Sequence, residues 1–206
     1  MIGSGTMGAG IAEVAAAAGH PVLIYDIDHQ AIARAIDGIA RRLASRVERG
    51  KLASEQADAL LARLHPAHDL AALADADLVI EAASERLEVK TALVRAAGCA
   101  ICAPSTLLTS NTSSIFDYRH RRRGQKPGAG SRAALFNPAP VMKLVEVVSG
   151  LERSAEVVRA AVPVRKRLGK QPVRRRSTPG FIVSTASRVR STLRRLARAG
   201  RTGCRP

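Results

Sequence analysis

The 206 residues, 46% hydrophobic and 24% charged, make one domain, or one and part of another. No apolar run reaches the length of a membrane span, and no charged start with an apolar core opens the chain; it reads as a cytoplasmic protein without membrane anchor or signal peptide. The charge is split: residues 1–114 carry 10 basic and 13 acidic side chains, net −3, and residues 115–206 carry 23 and 4, net +19, an asymmetry that usually marks a tail for nucleic acid or an acidic surface.

The first stretch, Gly3-Ser4-Gly5-Thr6-Met7-Gly8, reads G-x-G-x-x-G and runs into an alanine-rich segment that ends at Gly19. Gly3 suits a tight turn out of a strand, Gly5 a close approach of backbone to a pyrophosphate, and Gly8 tight packing of the helix on the sheet. Gly3, Gly5, Thr6, Met7 and Gly8 are therefore the expected phosphate cradle, at a helix start whose N–H groups are open. An apolar run, Val22-Leu23-Ile24-Tyr25, then ends in Asp26, 18 residues after Gly8. That is close to the roughly 20 expected for the acid that binds the adenosine ribose hydroxyls. No Arg follows Asp26 directly, which favours NAD over NADP. One feature is short: a first strand needs about five residues, and only Met1 and Ile2 precede Gly3.

Helical periodicity runs from Asp28 through Arg49, with Ile32, Ala35, Ile36, Ile39 and Leu43 on one face and Arg41, Arg42 and Arg46 off it. A short helix over Ser54 to Leu64 ends near His65-Pro66. The segment Asp75 to Ala82 reads as a buried parallel strand, Glu85 to Arg95 as a helix, and Ser105 to Ser110 as another strand, followed by Asn111-Thr112-Ser113-Ser114. This alternation predicts an α/β fold with a doubly wound parallel sheet. Cys99, Cys102 and Cys204 are odd in number and have no metal-ligand spacing beyond one C-x-x-C, so reduced thiols and no metal site are expected. Residues 116–131 lack periodicity. Phe136 to Val148 is orderly again, a helix is expected over Ser154 to Leu168, a short strand at Lys170 to Val173, and a turn into a helix at Ser177 to Val183. From Ser184 the chain is Arg-rich and irregular.

Taken together, Gly3 to Ala12, Ile80 to Lys90, Ser110 to Ser114, Phe136 to Val148 and Ser177 to Val183 resemble, in order, the signatures of the 3-hydroxyacyl-CoA dehydrogenase family. Glu81 to Lys90 and Lys143 to Gly150 look most like its phenylacetate-degradation branch, which acts on 3-hydroxyadipyl-CoA. The resemblance implies a Rossmann-type NAD-binding domain over residues 1–180 and, in 181–206, a remnant of the helical domain through which the family dimerises. It implies NAD-dependent oxidation of a (3S)-3-hydroxyacyl-CoA to the 3-oxoacyl-CoA, with an acyl-CoA substrate and no nucleic acid. By the same resemblance Ser113 holds the substrate oxygen and Glu146 orients the catalytic base. Glu85, Lys90, Asn111 and Asn137 contact the cofactor, and Arg41, Arg42 and Arg46 are candidates for the CoA phosphates, against the plainer reading of a solvated helix face. The competing reading, a basic nucleic-acid-binding protein on a dinucleotide fold, lacks aromatic interleaving: the basic half holds only Phe116, Tyr118, Phe136 and Phe181.

Two family residues are absent. The base is the His of a Leu-His-Phe-Phe-Asn-Pro run, and that position is Ala134; the Asn that follows Phe-Ile-Val is replaced by Ser184. Activity of the chain as written is therefore expected to be impaired. The genetic code offers a cause. Residues 128–135 can be written GGA GCG GGT AGC CGG GCT GCA CTT, which one base later reads Glu-Arg-Val-Ala-Gly-Leu-His. Residues 184–192 can be written so that two bases later they read Asn-Arg-Val-Ala-Arg-Pro-Phe-Tyr. Both are family-like and restore the missing residue, and out-of-frame reading of GC-rich DNA yields Arg, Ala, Gly and Pro. The expectation is a frameshifted, truncated copy. Resequencing the gene checks it: the neighbouring frames should open onto these residues, and codons that do not permit them sink the idea.

Overall fold

Residue-by-residue, the computed structural model describes 1–84, 86–97, 101–103, 105–111, 130–135, 139–142, 144–149 and 169–176. In chain order these form α1 (Thr6–Ala17), β1 (Val22–Tyr25), α2 (His29–Glu48), α3 (Ser54–Leu61), β2 (Leu64–Ala67), a 3-10 turn (Leu70–Leu73), β3 (Leu78–Glu81), α4 (Leu87–Ala96), β4 (Leu107–Ser110), β5 (Gly130–Leu135), β6 (Leu144–Ser149) and β7 (Gln171–Arg176). The expected helix over Ser154 to Leu168 and the turn at Ser177 to Val183 lie outside the described residues.

The sheet runs β2-β1, then β3-β4-β5-β6-β7, and Ile2 joins the two parts by parallel bridges to Tyr25 and Glu81. Its neighbours are parallel except for β5 and β6, which are antiparallel. This is the predicted α/β doubly wound sheet, with its first strand reduced to one bridging residue. Ile2 N–H donates to the Ile80 carbonyl at 2.9 Å, Ala82 N–H donates to the Ile2 carbonyl at 2.8 Å, and Gly3 N–H donates to Tyr25 at 2.8 Å. Four hydrogen bonds from Met1 to Gly3 thus stand in for a strand, the fourth being Tyr25 N–H to the Met1 carbonyl.

Alternation along the strands divides the core in two. Val22, Ile24 and Ile80 pack with Ile11, Ala12, Ile32, Ile39 and Leu43 on the face covered by α1, α2 and α3. Ile2, Val79 and Leu108 pack with Leu73, Ala97 and Cys102 on the other. The apolar face of α2 is the one that its periodicity predicts: Ile32, Ala35, Ile39 and Leu43 are buried. Asp28 caps this helix by accepting from Gln30 N–H at 3.0 Å, and Gly50, at φ 64°, follows its end.

Two elements depart from the sequence reading. The helix at Ser54 stops at Leu61, and Leu64-His65-Pro66-Ala67 is a strand, β2, paired with β1. Only Leu64 and Ala67 of it are buried, so it shows neither alternation nor an apolar run. Pro66 is tolerated because, among the described residues, β2 pairs on one side only, leaving an edge where a missing N–H breaks no ladder. β5 falls within and just after the aperiodic stretch, where β4 and β6 supply the order through pairing. At the far end, the buried Lys170 ties the start of β7 to the turn at residues 139–142: its Nζ donates to the carbonyls of Ala139 and Met142 at 2.5 and 2.9 Å. Burial lowers the pKa of this ammonium.

The α-amino group of Met1 is buried and donates to the Leu23 carbonyl at 2.6 Å. Desolvation lowers its pKa from 8.0 to about 5, opposed in part by Cys102.

Candidate active site

Two local features of the glycine loop leave little choice of residue. Gly3 has φ +93°, and a Cβ there would lie 2.8 Å from the backbone of Ala82 and Ala83. A Cβ on Gly8 would lie 1.8 Å from the Gly3 carbonyl oxygen. The turn and the first turn of α1 are in contact through positions that accept no side chain. Gly5 is the N-cap of α1, with no side-chain cap and no acid in the first turn. The first intrahelical bond is Ala9 N–H to the Gly5 carbonyl, at 2.8 Å. Among the described residues the amides at Thr6, Met7 and Gly8 have no acceptor, and Gly5 and Thr6 are exposed. A cradle with close backbone approach, open amides and no competing carboxylate suits a pyrophosphate.

Asp26 sits beside it. Its Oδ2 accepts from Ser4 N–H at 2.7 Å and from Ser4 Oγ at 2.8 Å, and its Oδ1 accepts from Asp28 N–H at 3.2 Å. The carboxylate is half-buried and held against the loop. The geometry therefore brings together all six of the expected phosphate- and ribose-binding positions at the carboxyl end of the sheet. Ser4 was not singled out in the sequence; its x position in the motif gives no signal, and the contact depends on β1 lying next to the loop.

A second cluster lies at the ends of β3 and β4. Glu81 is fully buried, and its carboxylate accepts from Ala83 N–H at 2.6 Å, Ser110 Oγ at 2.6 Å and Lys90 Nζ at 2.9 and 3.1 Å. Lys90, itself fully buried, also donates to the Asn111 carbonyl at 3.5 Å. Asn111 N–H donates to the Glu81 carbonyl at 2.6 Å. Lys90, expected as a direct cofactor contact, is placed in a buried ion pair, and Asn111 is tied to the same hub. Glu85, Ser113 and Asn137 lie outside the described residues.

Glu146 lies on β6, in register opposite Ala134 on β5. Of the three candidate arginines Arg41, Arg42 and Arg46, Arg42 is engaged elsewhere: it meets the buried Glu13 of α1 at 2.7 Å. Arg41 and Arg46 are exposed. Cys102 is buried, and its thiol donates to the Leu73 carbonyl at 3.3 Å. Among the described residues no cluster of His, Cys, Asp or Glu could hold a metal, and no helix is long and apolar enough to cross a membrane.

The model of one protein family, the NAD binding domain of 3-hydroxyacyl-CoA dehydrogenase, matches residues 1–178. The chain is 59% identical over 188 residues to 3-hydroxyadipyl-CoA dehydrogenase of Escherichia coli K12, covering 91% of this chain and 39% of that protein. It is 38% identical over 192 residues to the mitochondrial hydroxyacyl-coenzyme A dehydrogenase of Sus scrofa, covering 89% of this chain and 60% of that one. Among solved structures, it is similar to a 3-hydroxybutyryl-CoA dehydrogenase of E. coli K12, with TM-score 0.82 and 59% identity over 88% of this chain and 38% of that chain. A (S)-3-hydroxybutyryl-CoA dehydrogenase of Ralstonia eutropha gives TM-score 0.80 at 32% identity, over 89% and 65%. The chain thus spans between about two-fifths and two-thirds of these relatives. The family match runs through most of the basic half, so the charge asymmetry does not mark a separate basic module.

The buried pair generates a stability prediction. Removing one partner leaves the other charged and dry. Lys90→Met should destabilise the chain by about 3–5 kcal/mol in urea unfolding, whereas adding Glu81→Gln should recover part of the loss. A single variant within 0.5 kcal/mol of the parent, by the ordinary measure for neutral surface changes, would show that the pair is not enclosed.

Proposed function

Because the chain belongs to the 3-hydroxyacyl-CoA dehydrogenase family, through its NAD-binding domain, we propose that it binds NAD on the Gly3–Gly8 loop and Asp26 and carries the site of (3S)-3-hydroxyacyl-CoA oxidation in a form impaired by Ala134. NAD supplies the hydride acceptor for the C3 carbon of the substrate. The chain's own part is to hold the 3-hydroxyl, remove its proton and position the reacting carbon. Ser113 is assigned to the substrate oxygen, and Asn137, Glu85 and Asn111 to the cofactor side. Glu146 is assigned to orienting a base on the facing strand.

The observation that carries the reading is the register of β5 and β6. Glu146 and Ala134 are register partners across an antiparallel pair, which supports a glutamate that orients a base at position 134. Alanine there has no group to take the proton, so the loss falls on the chemical step and leaves cofactor binding to residues 3–26. The acyl group is proposed as 3-hydroxyadipyl, on the similarity to the E. coli enzyme of that name. The helical dimerisation domain of the family, and residues 181–206 as its remnant, belong to the same proposal.

The test is turnover with NADH and a 3-oxoacyl-CoA. The chain should show little or none, and Ala134→His should raise kcat/KM about 10²-fold, the typical worth of a positioned general base. Near-normal turnover of the parent chain would overturn the proposed impairment. An Ala134→His variant that binds NAD but gains no rate would overturn the assignment of position 134.

A further inference from the structure

The hydrogen bonds of Asp26 are divided unequally between its two oxygens. Oδ2 accepts twice from one residue, from the Ser4 amide at 2.7 Å and the Ser4 hydroxyl at 2.8 Å. Oδ1 accepts once, from the Asp28 amide at 3.2 Å, the long end of the hydrogen-bond range. A carboxylate offers about four acceptor sites, two on each oxygen. Oδ2 is therefore filled, and among the described residues one acceptor site on Oδ1 is left.

This pose is held from several directions. Ser4 is 5% exposed, and a buried hydroxyl that gave up Oδ2 would lose its acceptor. The residue before Ser4 is tied to the residue before Asp26: Gly3 N–H donates to the Tyr25 carbonyl at 2.8 Å. The residue after Ser4, Gly5, is the N-cap of α1. On the other side, Asp28 is the N-cap of α2, so its amide presents Oδ1 with a donor of fixed place. Asp26 is thus oriented by the loop and by α2 before any ligand arrives, and that preorganisation favours a ligand whose donor matches Oδ1.

We infer that Ser4 is a positioning residue for cofactor choice: by filling Oδ2 it leaves Asp26 one acceptor, on Oδ1, for one of the two adenosine ribose hydroxyls, and it holds the carboxylate in place against a phosphate on that ribose. Ser4 touches Asp26 and acts through it. Without the hydroxyl only the Ser4 amide holds Oδ2, and the carboxylate is freer to turn. It then meets the ribose less often in the right pose and yields more readily to an added phosphate, since like charges at close range repel. The inference rests on the NAD reading of the loop and goes beyond it by assigning the division of labour between the two oxygens.

The test has two arms. In the first, AMP, 2′-deoxy-AMP and 3′-deoxy-AMP displace NADH from the unmodified chain. One deoxy nucleotide should bind about tenfold more weakly than AMP, the worth of a hydrogen bond to a charged acceptor, and the other about as well as AMP. Equal losses with both would mean that both hydroxyls are held, and would overturn the single acceptor. In the second, Ser4→Ala is titrated with NAD and with NADP, with thermal unfolding to report the fold. The ratio of NAD to NADP affinity should fall about tenfold. In an Asp26→Asn background the same substitution should leave the ratio unchanged, because Ser4 acts through that carboxylate. A serine with only a packing role would weaken both nucleotides alike in either background. An unchanged ratio in Ser4→Ala, or equal falls in both backgrounds, overturns the inference while the parent still binds NAD. No NAD binding by the folded parent would defeat the NAD reading itself, and the inference with it.

Discussion

The buried ion pair between Lys90 and Glu81 is the constraint on which the arrangement of the site depends. A carboxylate with no exposure is costly unless its oxygens are filled, and here an ammonium, a hydroxyl and an amide fill them. Each donor comes from a different place: α4, the end of β4 and the turn after β3. The backbone of that turn is what a Cβ on Gly3 would strike, and the Glu81 carbonyl takes the Asn111 amide. One side chain therefore couples the glycine loop, the β3 end and the start of the segment carrying Ser113. Neutralising or removing it would loosen all three together.

The glycine loop is held from the other direction by Asp26. A carboxylate that grips Ser4 through both amide and hydroxyl fixes the loop on β1. It also keeps a negative charge next to open helix amides, without occupying them. That division, anion acceptor at α1 and acid at the β1 tip, is how one loop discriminates pyrophosphate from ribose. In the sheet beneath it Ile2 carries the bridges that join β1 and β3. Residues 2–8 thus combine the sheet bridge with the glycine loop.

What was legible in the sequence is what is decided locally. The loop glycines, Asp26 and the apolar face of α2 follow from sterics and period, and the structure holds each where expected. β2 was not legible, because an edge strand with two buried residues carries no periodic signal. The engagement of Lys90 was not legible either. Its motif points to the cofactor, whereas its partner Glu81 is nine residues away and meets it only through the turn from β3 into α4. Arg42 is similar: off the apolar stripe it reads as solvated, yet Glu13 on a separate helix takes it. The facing of Ala134 and Glu146 needed the β5–β6 register, since the intervening residues give no hint of a hairpin. Resemblance supplied their roles as an expectation, and the register shows only that the two positions are partners across β5 and β6.

The central claim is that the first 26 residues form an NAD site. Titration of the chain with NAD and NADP, followed by calorimetry, tests it most directly, with Asp26→Asn alongside. The account predicts saturable NAD binding, weaker NADP binding because Asp26 repels an added phosphate, and a loss of NAD affinity with that preference in the variant. No binding of NAD by a folded chain, or equal binding of both nucleotides by the parent, would contradict it.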